Sequence, residues 1–97
     1  MNVWHVEYHS EVILRELRFI DVPVWDRIRE TIDSHYAQLP SPGKPLTREL
    51  RLYRTLRIGD FRAICRLRGD TLTVFTVRHR SKGYGPDLLK LLKRRDS

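Results

Sequence analysis

The chain has 97 residues, of which 40% are hydrophobic and 32% charged, and this composition predicts one globular domain over residues 1–97. Its longest apolar run is only a few residues, so we expect neither a transmembrane helix nor the core of a signal peptide. Because Cys65 is the single cysteine, the chain cannot form an internal disulfide, which fits a cytoplasmic protein. The cysteine and the histidines lack the spacing of a metal site, and we expect neither a metal nor a cofactor.

Positive charge is concentrated in the second half of the sequence. Residues 1–47 carry five Lys/Arg and seven Asp/Glu, a net charge of −2, whereas residues 48–97 carry fourteen and five, a net charge of +9. Together the two halves give the net charge of +7. Such an asymmetry is typical of proteins that bind nucleic acids or other polyanions. The alternative is a solvated basic surface that only keeps the protein in solution.

The first half of the chain predicts a strand followed by two helices. The alternation of Trp4, Val6 and Tyr8 in NVWHVEY indicates a strand. Ser10 is a suitable N-cap for a helix through EVILRELRF, and a second helix is expected to begin after Asp21. The apolar residues at helical spacing in the second helix are Trp25, Ile28, Ile32, Tyr36 and Leu39. The short link between the helices predicts an antiparallel helical hairpin with this stripe in the core.

The second half predicts a loop, three strands and a short terminal helix. The segment PSPGKP breaks regular structure and is expected to be a loop. Strands are predicted over 49–58, 61–68 and 71–80, and the Gly-Asp pairs at 59–60 and 69–70 supply the turns of an antiparallel meander. The tail GPDLLKLLKRR predicts a terminal helix whose leucines can dock on the sheet. The predicted fold class is therefore α+β.

Arginines are expected on one face of this sheet. In the strand 61–68, Arg62 and Arg66 alternate with the smaller apolar residues Ala63 and Cys65. The two early helices are expected to cover the apolar face and to leave the arginine face open. Arginine makes charge-assisted, often bidentate hydrogen bonds to phosphate, and fifteen of the nineteen cations are arginines. Pairing with carboxylates is the alternative, but only the aspartates at positions 60 and 70 lie nearby in sequence.

Two motifs give the sequence a resemblance to a known family. They are RIGDFR at 57–62 and VRHRSKGY at 77–84, and with the order of the predicted elements they make nearly the whole chain similar to the RelE/ParE superfamily of bacterial toxins. The resemblance implies a RelE-like fold and, for the RelE type, metal-independent cleavage of mRNA, commonly on the ribosome. It also implies that Arg62 binds the scissile phosphate, that Arg78 acts as general acid and phosphate ligand, and that Tyr84 orients the substrate or stacks on it.

The strand before Arg62 departs from the RelE pattern. Tyr53 and Thr55 occupy the positions at which that pattern has two lysines, which serve as base and electrostatic groups. Arginine stays protonated at physiological pH and does not replace a base. His79 can titrate near neutrality and is the candidate base, although strand alternation turns it away from Arg78. A ribosomal group or an unusual role of a tyrosine are the other options.

These features lead to one expected function and two alternatives. We expect the toxin of a type II toxin–antitoxin system, an mRNA-cleaving endoribonuclease that inhibits translation. Its expected partners are a cognate acidic antitoxin, mRNA and the ribosome, with no membrane partner and with DNA reached only through the antitoxin complex. Further contacts with RNA are expected from Arg51, Tyr53, Arg54, Arg57, Arg66, Arg80 and Lys82. The alternatives are a ParE-like poison of DNA gyrase, a type that tends to lack the RelE catalytic set, and a basic RNA-binding module of the same fold that has lost catalysis.

Overall fold

A five-stranded sheet with helices on both faces makes up the computed structural model, which describes residues 3–97. The strands are β1 (His5–Tyr8), β2 (Lys44–Pro45), β3 (Arg54–Ile58), β4 (Phe61–Arg68) and β5 (Thr71–His79). The α-helices are α1 (Ser10–Leu14), α2 (Val22–Ser34) and α3 (Pro86–Arg95), and 3-10 turns lie at Glu16–Phe19, Tyr36–Gln38, Arg48–Leu50 and Arg80–Lys82. No helix in this described part of the chain is long and apolar enough to cross a membrane.

The sheet has the strand order β1-β5-β4-β3-β2. Strands β3, β4 and β5 form the predicted antiparallel meander, with turns at 59–60 and 69–70, and β1 joins the edge of β5 in parallel. This architecture confirms the predicted α+β class. Arg57 pairs with Arg62, and Arg62 with Arg78, across the three strands of the meander. The central position of β4 therefore brings residues of both sequence motifs together.

One face of the sheet is covered by α1 and α2, as predicted. Val12 of α1 and the α2 residues Ile28 and Ile32 lie almost fully buried in one cluster with Leu56 and Cys65 of the sheet. Burying each large aliphatic side chain of this kind contributes on the order of 2 kcal/mol. Burial also raises the pKa of the Cys65 thiol to about 12, so this cysteine is a neutral core residue at physiological pH.

The other face is only partly open, which corrects the prediction of an exposed basic face. Leu88 and Leu92 of α3 are fully buried in a second cluster with Tyr53, Ile64 and Phe75. The terminal helix is amphipathic, and its docking removes these leucines from water. The accessible part of this face lies beside the β3–β4 turn, where no α3 residue lines the surface.

The first helix begins and ends differently from the prediction. His9, not Ser10, precedes α1, and its Nδ1 accepts a hydrogen bond from the backbone N–H of Glu11 at 3.1 Å. Ser10 is already the first helical residue. The α-helix stops at Leu14 and the chain continues as the 3-10 turn Glu16–Phe19, so the first predicted helix is shorter than expected.

The region before β3 also differs from the prediction. Residues 49–53 do not extend the strand, because Arg48–Leu50 forms a 3-10 turn that packs Leu50 against the second cluster. Lys44–Pro45, expected within a loop, instead pairs with β3 as the edge strand β2. The last strand ends one residue earlier than predicted, at His79. Asn2, which the prediction included in the first strand, lies outside the described residues.

Candidate functional site

A row of three arginines crosses the accessible end of the sheet. Arg57, Arg62 and Arg78 are direct neighbours on β3, β4 and β5. Because adjacent strands lie about 4.8 Å apart, the row spans about 10 Å. Within residues 3–97, none of the three forms an ion pair with a carboxylate. Like charges directly opposite one another on neighbouring strands repel, so this row favours an anionic ligand.

Backbone carbonyls hold two of these guanidinium groups. Arg62 Nη1 donates to the carbonyls of Gly59 and Phe61, at 3.3 and 3.1 Å, in and beside the β3–β4 turn. Arg78 Nη1 donates to the carbonyl of Gly83 at 3.2 Å. The Nε of Arg78 is buried and has no hydrogen-bond acceptor among the described residues.

Tyr84 closes one side of the arginine row. Its hydroxyl lies 3.1 Å from Oγ1 of Thr55 on β3, and the residue is 44% exposed. Gly83, directly before it, has φ of 64° and ψ of −161°, a backbone conformation that is open only to glycine. This turn directs Tyr84 back toward the sheet. The hydroxyl is therefore held by β3, while the exposed ring can stack on a nucleic-acid base.

Lys44 is a cation of the site that the sequence analysis missed. It lies on β2 in register with Thr55, the residue two positions before Arg57 on β3. Strand β2 can approach β3 because Gly43 has φ of 75° and no side chain: a Cβ there would lie 2.6 Å from the carbonyl oxygen of Thr55. A two-residue strand has too few positions to show alternation. The glycine directly before the lysine is the one signal that could have indicated a close backbone approach.

These groups surround an open cleft of about 450 Å³. The cations that line it are Lys44, Arg57, Arg62, Arg78 and Arg80, and the described residues of the lining include no Asp or Glu. Arg80 lies 3.5 Å from Asp60 outside the lining, but both side chains are exposed, so this ion pair contributes little. Sites for single-stranded nucleic acids combine positive potential with an exposed aromatic ring, and the cleft has both.

His79 borders the cleft, but its ring faces away from the arginine row. It is the cross-strand neighbour of Phe61, and the two rings meet edge to face with centroids 5.5 Å apart. Phe61 packs on the helical side of the sheet. The backbone N–H of Ser81 donates to His79 Nδ1 at 3.1 Å, so the neutral ring carries its proton on Nε2.

Three other residues expected to contact RNA lie outside the cleft lining. Arg54 donates to the carbonyl of Pro42 at 2.6 Å and to the hydroxyl of Ser41 at 2.9 Å. These hydrogen bonds hold the loop before β2 against β3. Arg51 is exposed on the turn before β3, and Lys82 is exposed on the 3-10 turn after β5. Of the seven residues expected to make further RNA contacts, the cleft contains Arg57 and Arg80.

Tyr53 and Arg66 are bound to the C-terminal end of α3. Asp96 Oδ2 accepts hydrogen bonds from the Tyr53 hydroxyl at 2.7 Å and from Arg66 Nη1 at 2.8 Å, and its Oδ1 accepts one from Arg68 at 3.1 Å. Burial and the hydrogen bond to Asp96 raise the pKa of Tyr53 to about 12. Burial opposes ionisation of Asp96, but hydrogen bonds from Tyr53 and Arg66 outweigh it and lower the pKa of this carboxyl. The expectation that too few carboxylates reach the arginines is thus wrong for Arg66 and Arg68.

The chemistry available in the cleft follows from its donors. Within residues 3–97, no group of three or more His, Cys, Asp or Glu is arranged to hold a metal ion. The lining offers guanidinium, ammonium and hydroxyl groups, and the arginine row among them lies on strands. Such groups can bind a phosphate and stabilise negative charge that develops on it, because they need little rearrangement when the charge appears.

Solved structures with the same fold are toxins from toxin–antitoxin systems. The chain is 25% identical to a chain of the RelBE2 toxin–antitoxin complex from Mycobacterium tuberculosis, with a TM-score of 0.74 over 84% of this chain and 95% of that one. It is 20% identical to YafQ from E. coli, with a TM-score of 0.55 over 84% and 99% of the two chains. The RelB–RelE complex from Methanococcus jannaschii gives 20% identity and a TM-score of 0.57 over 78% and 92%. The expected RelE-like fold is confirmed.

A family model covers most of the sequence. Residues 9–84 match the model of the ParE toxin of the type II toxin–antitoxin system parDE, a range that includes both motifs and the whole meander. No curated protein sequence matches the chain significantly. The chain therefore belongs to the ParE toxin family, within the RelE/ParE superfamily, and is a toxin of a type II toxin–antitoxin system.

Proposed function

We propose that this toxin is a metal-independent endoribonuclease that cleaves mRNA on the ribosome and thereby inhibits translation. The observation that carries the proposal is the cleft, in which Arg57, Arg62 and Arg78 stand in one row beside the exposed ring of Tyr84. The lining carries five cations and, among the described residues, no Asp or Glu, which supports an anionic ligand at this position.

RNA cleavage requires three things from such a site. In this reaction the 2′-hydroxyl gives its proton to water or to a ribosomal group as its oxygen bonds to the adjacent phosphorus, the bond to the 5′-oxygen breaks, and the leaving 5′-oxygen takes up a proton. The site must hold these atoms in line, stabilise the additional negative charge on the phosphate and protonate the leaving group. In the proposed arrangement Arg62 and Arg78 bind the phosphate oxygens, Arg78 lies at the leaving oxygen, and Tyr84 stacks on a neighbouring base.

Electrostatic stabilisation is the main contribution that we assign to the cleft. Its arginines stay protonated and cannot accept the proton of the attacking 2′-hydroxyl. Lys44 on β2 adds a positive charge beside Thr55 on β3. It thus supplies an ammonium group next to a position at which the RelE pattern has a lysine. A missing general base lowers the rate by about 10²–10⁴-fold, which leaves a slower but active nuclease.

Separate measurements of translation and DNA synthesis test this function in cells. After induction of the chain alone, incorporation of a labelled amino acid is expected to fall early while incorporation of labelled thymidine continues. The Arg62→Ala and Arg78→Ala variants are the controls and should leave translation intact. Early loss of DNA synthesis with induction of the SOS response, while translation continues, would contradict the proposal.

A ParE-like gyrase poison is the second candidate function. The family-model match favours it, because the model describes the ParE toxin. Tyr53 and Thr55 occupy the positions of the two RelE lysines, and both residues are buried. The absence of lysines at these two positions also favours a gyrase poison. The incorporation of labelled amino acid and labelled thymidine separates the two functions, since a gyrase poison stops DNA synthesis first.

The proposed partner is an antitoxin with an acidic segment that covers the cleft. Two of the three similar structures described above are toxin–antitoxin complexes. Residues 48–97 carry a net charge of +9, so a complementary acidic segment that folds on binding is favoured. The protein encoded by the adjacent reading frame should co-purify with this chain and restore growth. A neighbour that does neither, or that binds equally well after its acidic residues are reversed, would contradict the proposed partner.

A further inference from the structure

The edge of β3 beside Arg57 is not covered by a strand of the described chain. Pairing of β2 with β3 reaches Thr55 and goes no further among the described residues. On the other side of β3, the residues that flank the two-residue turn, Ile58 and Phe61, form a hydrogen-bonded pair. Because such pairs alternate with non-hydrogen-bonded ones, Arg57 and Arg62 form a non-hydrogen-bonded pair. The backbone N–H and C=O of Arg57 therefore point away from β4, toward the uncovered edge.

The hydroxyl of Tyr36 occupies the position that a neighbouring strand would take. It donates to the backbone carbonyl of Arg57 at 2.8 Å and accepts a hydrogen bond from the backbone N–H of the same residue at 3.2 Å. A hydroxyl can do both, because it has one donor and two acceptor positions. Tyr36 lies in the 3-10 turn after α2, and its ring packs against the cluster under the helices. A residue predicted for the core stripe thus also completes the edge of the sheet.

Arg57 depends on this edge more than the other arginines of the row do. The guanidinium groups of Arg62 and Arg78 donate to backbone carbonyls. Arg57 is exposed, and its guanidinium donates to no group in residues 3–97. Its backbone is therefore the part that fixes where its side chain enters the cleft. A strand edge that frays must be ordered again when a ligand binds, which lowers affinity, whereas an edge that is already held avoids this loss.

We propose that Tyr36 is a positioning residue of the cleft, whose hydroxyl holds Arg57 in place for a phosphate next to the one that is cleaved. The inference rests on the proposed function, in which Arg62 and Arg78 bind the scissile phosphate and Arg57, at the end of the row, is left for its neighbour. A contact with a phosphate that does not react stabilises the ground state and the transition state equally. Loss of the Tyr36 hydroxyl should therefore raise KM and leave kcat nearly unchanged.

Binding of a 2′-O-methyl oligoribonucleotide to the purified full chain tests this role without cleavage, because the probe has no free 2′-hydroxyl to attack. Tyr36→Phe keeps the ring and removes the hydroxyl, and the dissociation constant should rise about three- to fivefold at low salt. Arg57→Ala should raise it about tenfold, since one charge-assisted contact is lost. Because the hydroxyl acts through Arg57, the double variant should bind no more weakly than Arg57→Ala. All variants are compared well below their melting temperatures.

Tyr8→Phe is the matched control. The Tyr8 hydroxyl is buried without a hydrogen-bond partner among the described residues. The residue lies on β1 at the opposite edge of the sheet, and its ring packs against the same cluster as that of Tyr36. This variant should bind the probe as the wild type does. Hydrogen exchange of the Arg57 amide should be about tenfold faster in Tyr36→Phe and unchanged in Tyr8→Phe, because only the first variant removes the acceptor of that amide.

Two results would overturn the proposed role of Tyr36. Unchanged affinity of Tyr36→Phe for the probe would do so even if the Arg57 amide exchanged faster, because the hydroxyl would then only complete the sheet edge. Losses that add up in the double variant would do so as well, since Tyr36 would then act independently of Arg57. If the expected affinities are found in a chain that cleaves no mRNA, the proposed nuclease activity fails while the role of Tyr36 in RNA binding is supported.

Discussion

Replacement of Asp96 tests whether the hydrogen bonds of its carboxylate hold the end of α3 on the sheet. The side chain is 8% exposed and accepts hydrogen bonds from Tyr53, Arg66 and Arg68. Hydrogen bonds to a charged group contribute about 1.5–3 kcal/mol each when buried, and the Arg68 bond is discounted because that side chain is 61% exposed. Asp96→Ala also leaves the buried Tyr53 hydroxyl without its acceptor. We therefore expect the free energy of unfolding to fall by about 2–4 kcal/mol.

Urea unfolding at pH 7 and low salt measures this loss. With an m-value of about 1–1.5 kcal/mol/M for a domain of this size, the midpoint should fall by about 1.3–4 M. Asp26→Ala is the control, because Asp26 is 58% exposed and its ion pair with Arg29 spans 3.7 Å, so its loss should change the free energy of unfolding by less than about 0.5 kcal/mol. Equal midpoints for the two variants would refute the assigned role of Asp96.

The pH dependence of the unfolding free energy tests whether the charge of Asp96 is responsible for this stabilisation. The pKa of Asp96 is lower in the folded chain than in the unfolded chain, where it has its ordinary value near 4. Its ionic contribution to stability is therefore complete above about pH 4 and is lost as the pH falls through the folded pKa. The difference in unfolding free energy between wild type and Asp96→Ala should be constant from pH 6 to 8 and smaller near pH 2–3. A difference that does not change with pH would show that the charge of Asp96 is unimportant.

The other predictions concern the cleft. Arg62→Ala and Arg78→Ala should each lower mRNA cleavage by about 10²–10³-fold without changing the urea midpoint, and a folded variant with the wild-type rate would exclude that arginine from the reaction. Lys44→Ala should lower cleavage about tenfold and Lys44→Arg should restore most of it, because the proposed role is electrostatic; failure of the arginine variant would point to proton transfer. Tyr84→Phe should retain more activity than Tyr84→Ala in the same assay, whereas equal losses would point to the hydroxyl that contacts Thr55. Gly43→Ala should displace β2, lower stability by about 1–3 kcal/mol and reduce cleavage as Lys44→Ala does; an unchanged melting temperature would contradict the close approach of Gly43 to β3.

The meander and the pairing of Arg57 with Arg62 follow from local sequence. Alternation from residue 61 to 68 separates Arg62 from Ala63 and predicts their opposite faces. The two-residue turn at 59–60 leaves little freedom in strand register, so Arg57 must lie opposite Arg62. The turn at 69–70 alone would pair Arg62 with Val77, and a register shift in the β4–β5 pair between Cys65 and Ile64 brings Arg78 opposite Arg62 instead. The position of His79 beside Phe61 depends on the same register shift and could not be predicted from alternation.

What the sequence analysis missed depends on contacts between distant segments. The leucines of α3 indicate docking but not the surface that receives them, so the burial of Tyr53 was not foreseen. The contact of Asp96 with Tyr53 joins residues 43 positions apart, and no periodicity reports such a pair. Strand β2 is too short to be recognised from its pattern, so the sequence predicts a loop at Lys44. Non-local packing and edge-strand pairing thus decided which cations remain accessible.

Cleavage of a defined mRNA by the purified chain, with and without ribosomes, is the most direct test of the proposed function. Mapping of 5′ ends should show new cuts within the message when ribosomes are present, with no added metal required for the toxin itself. The cuts should disappear with folded Arg62→Ala and Arg78→Ala variants and persist with Leu52→Asp, which changes an exposed residue outside the cleft lining. Intact mRNA under all these conditions, or cuts that remain in both arginine variants, would contradict the assignment of the arginine cleft as an RNA-cleaving site.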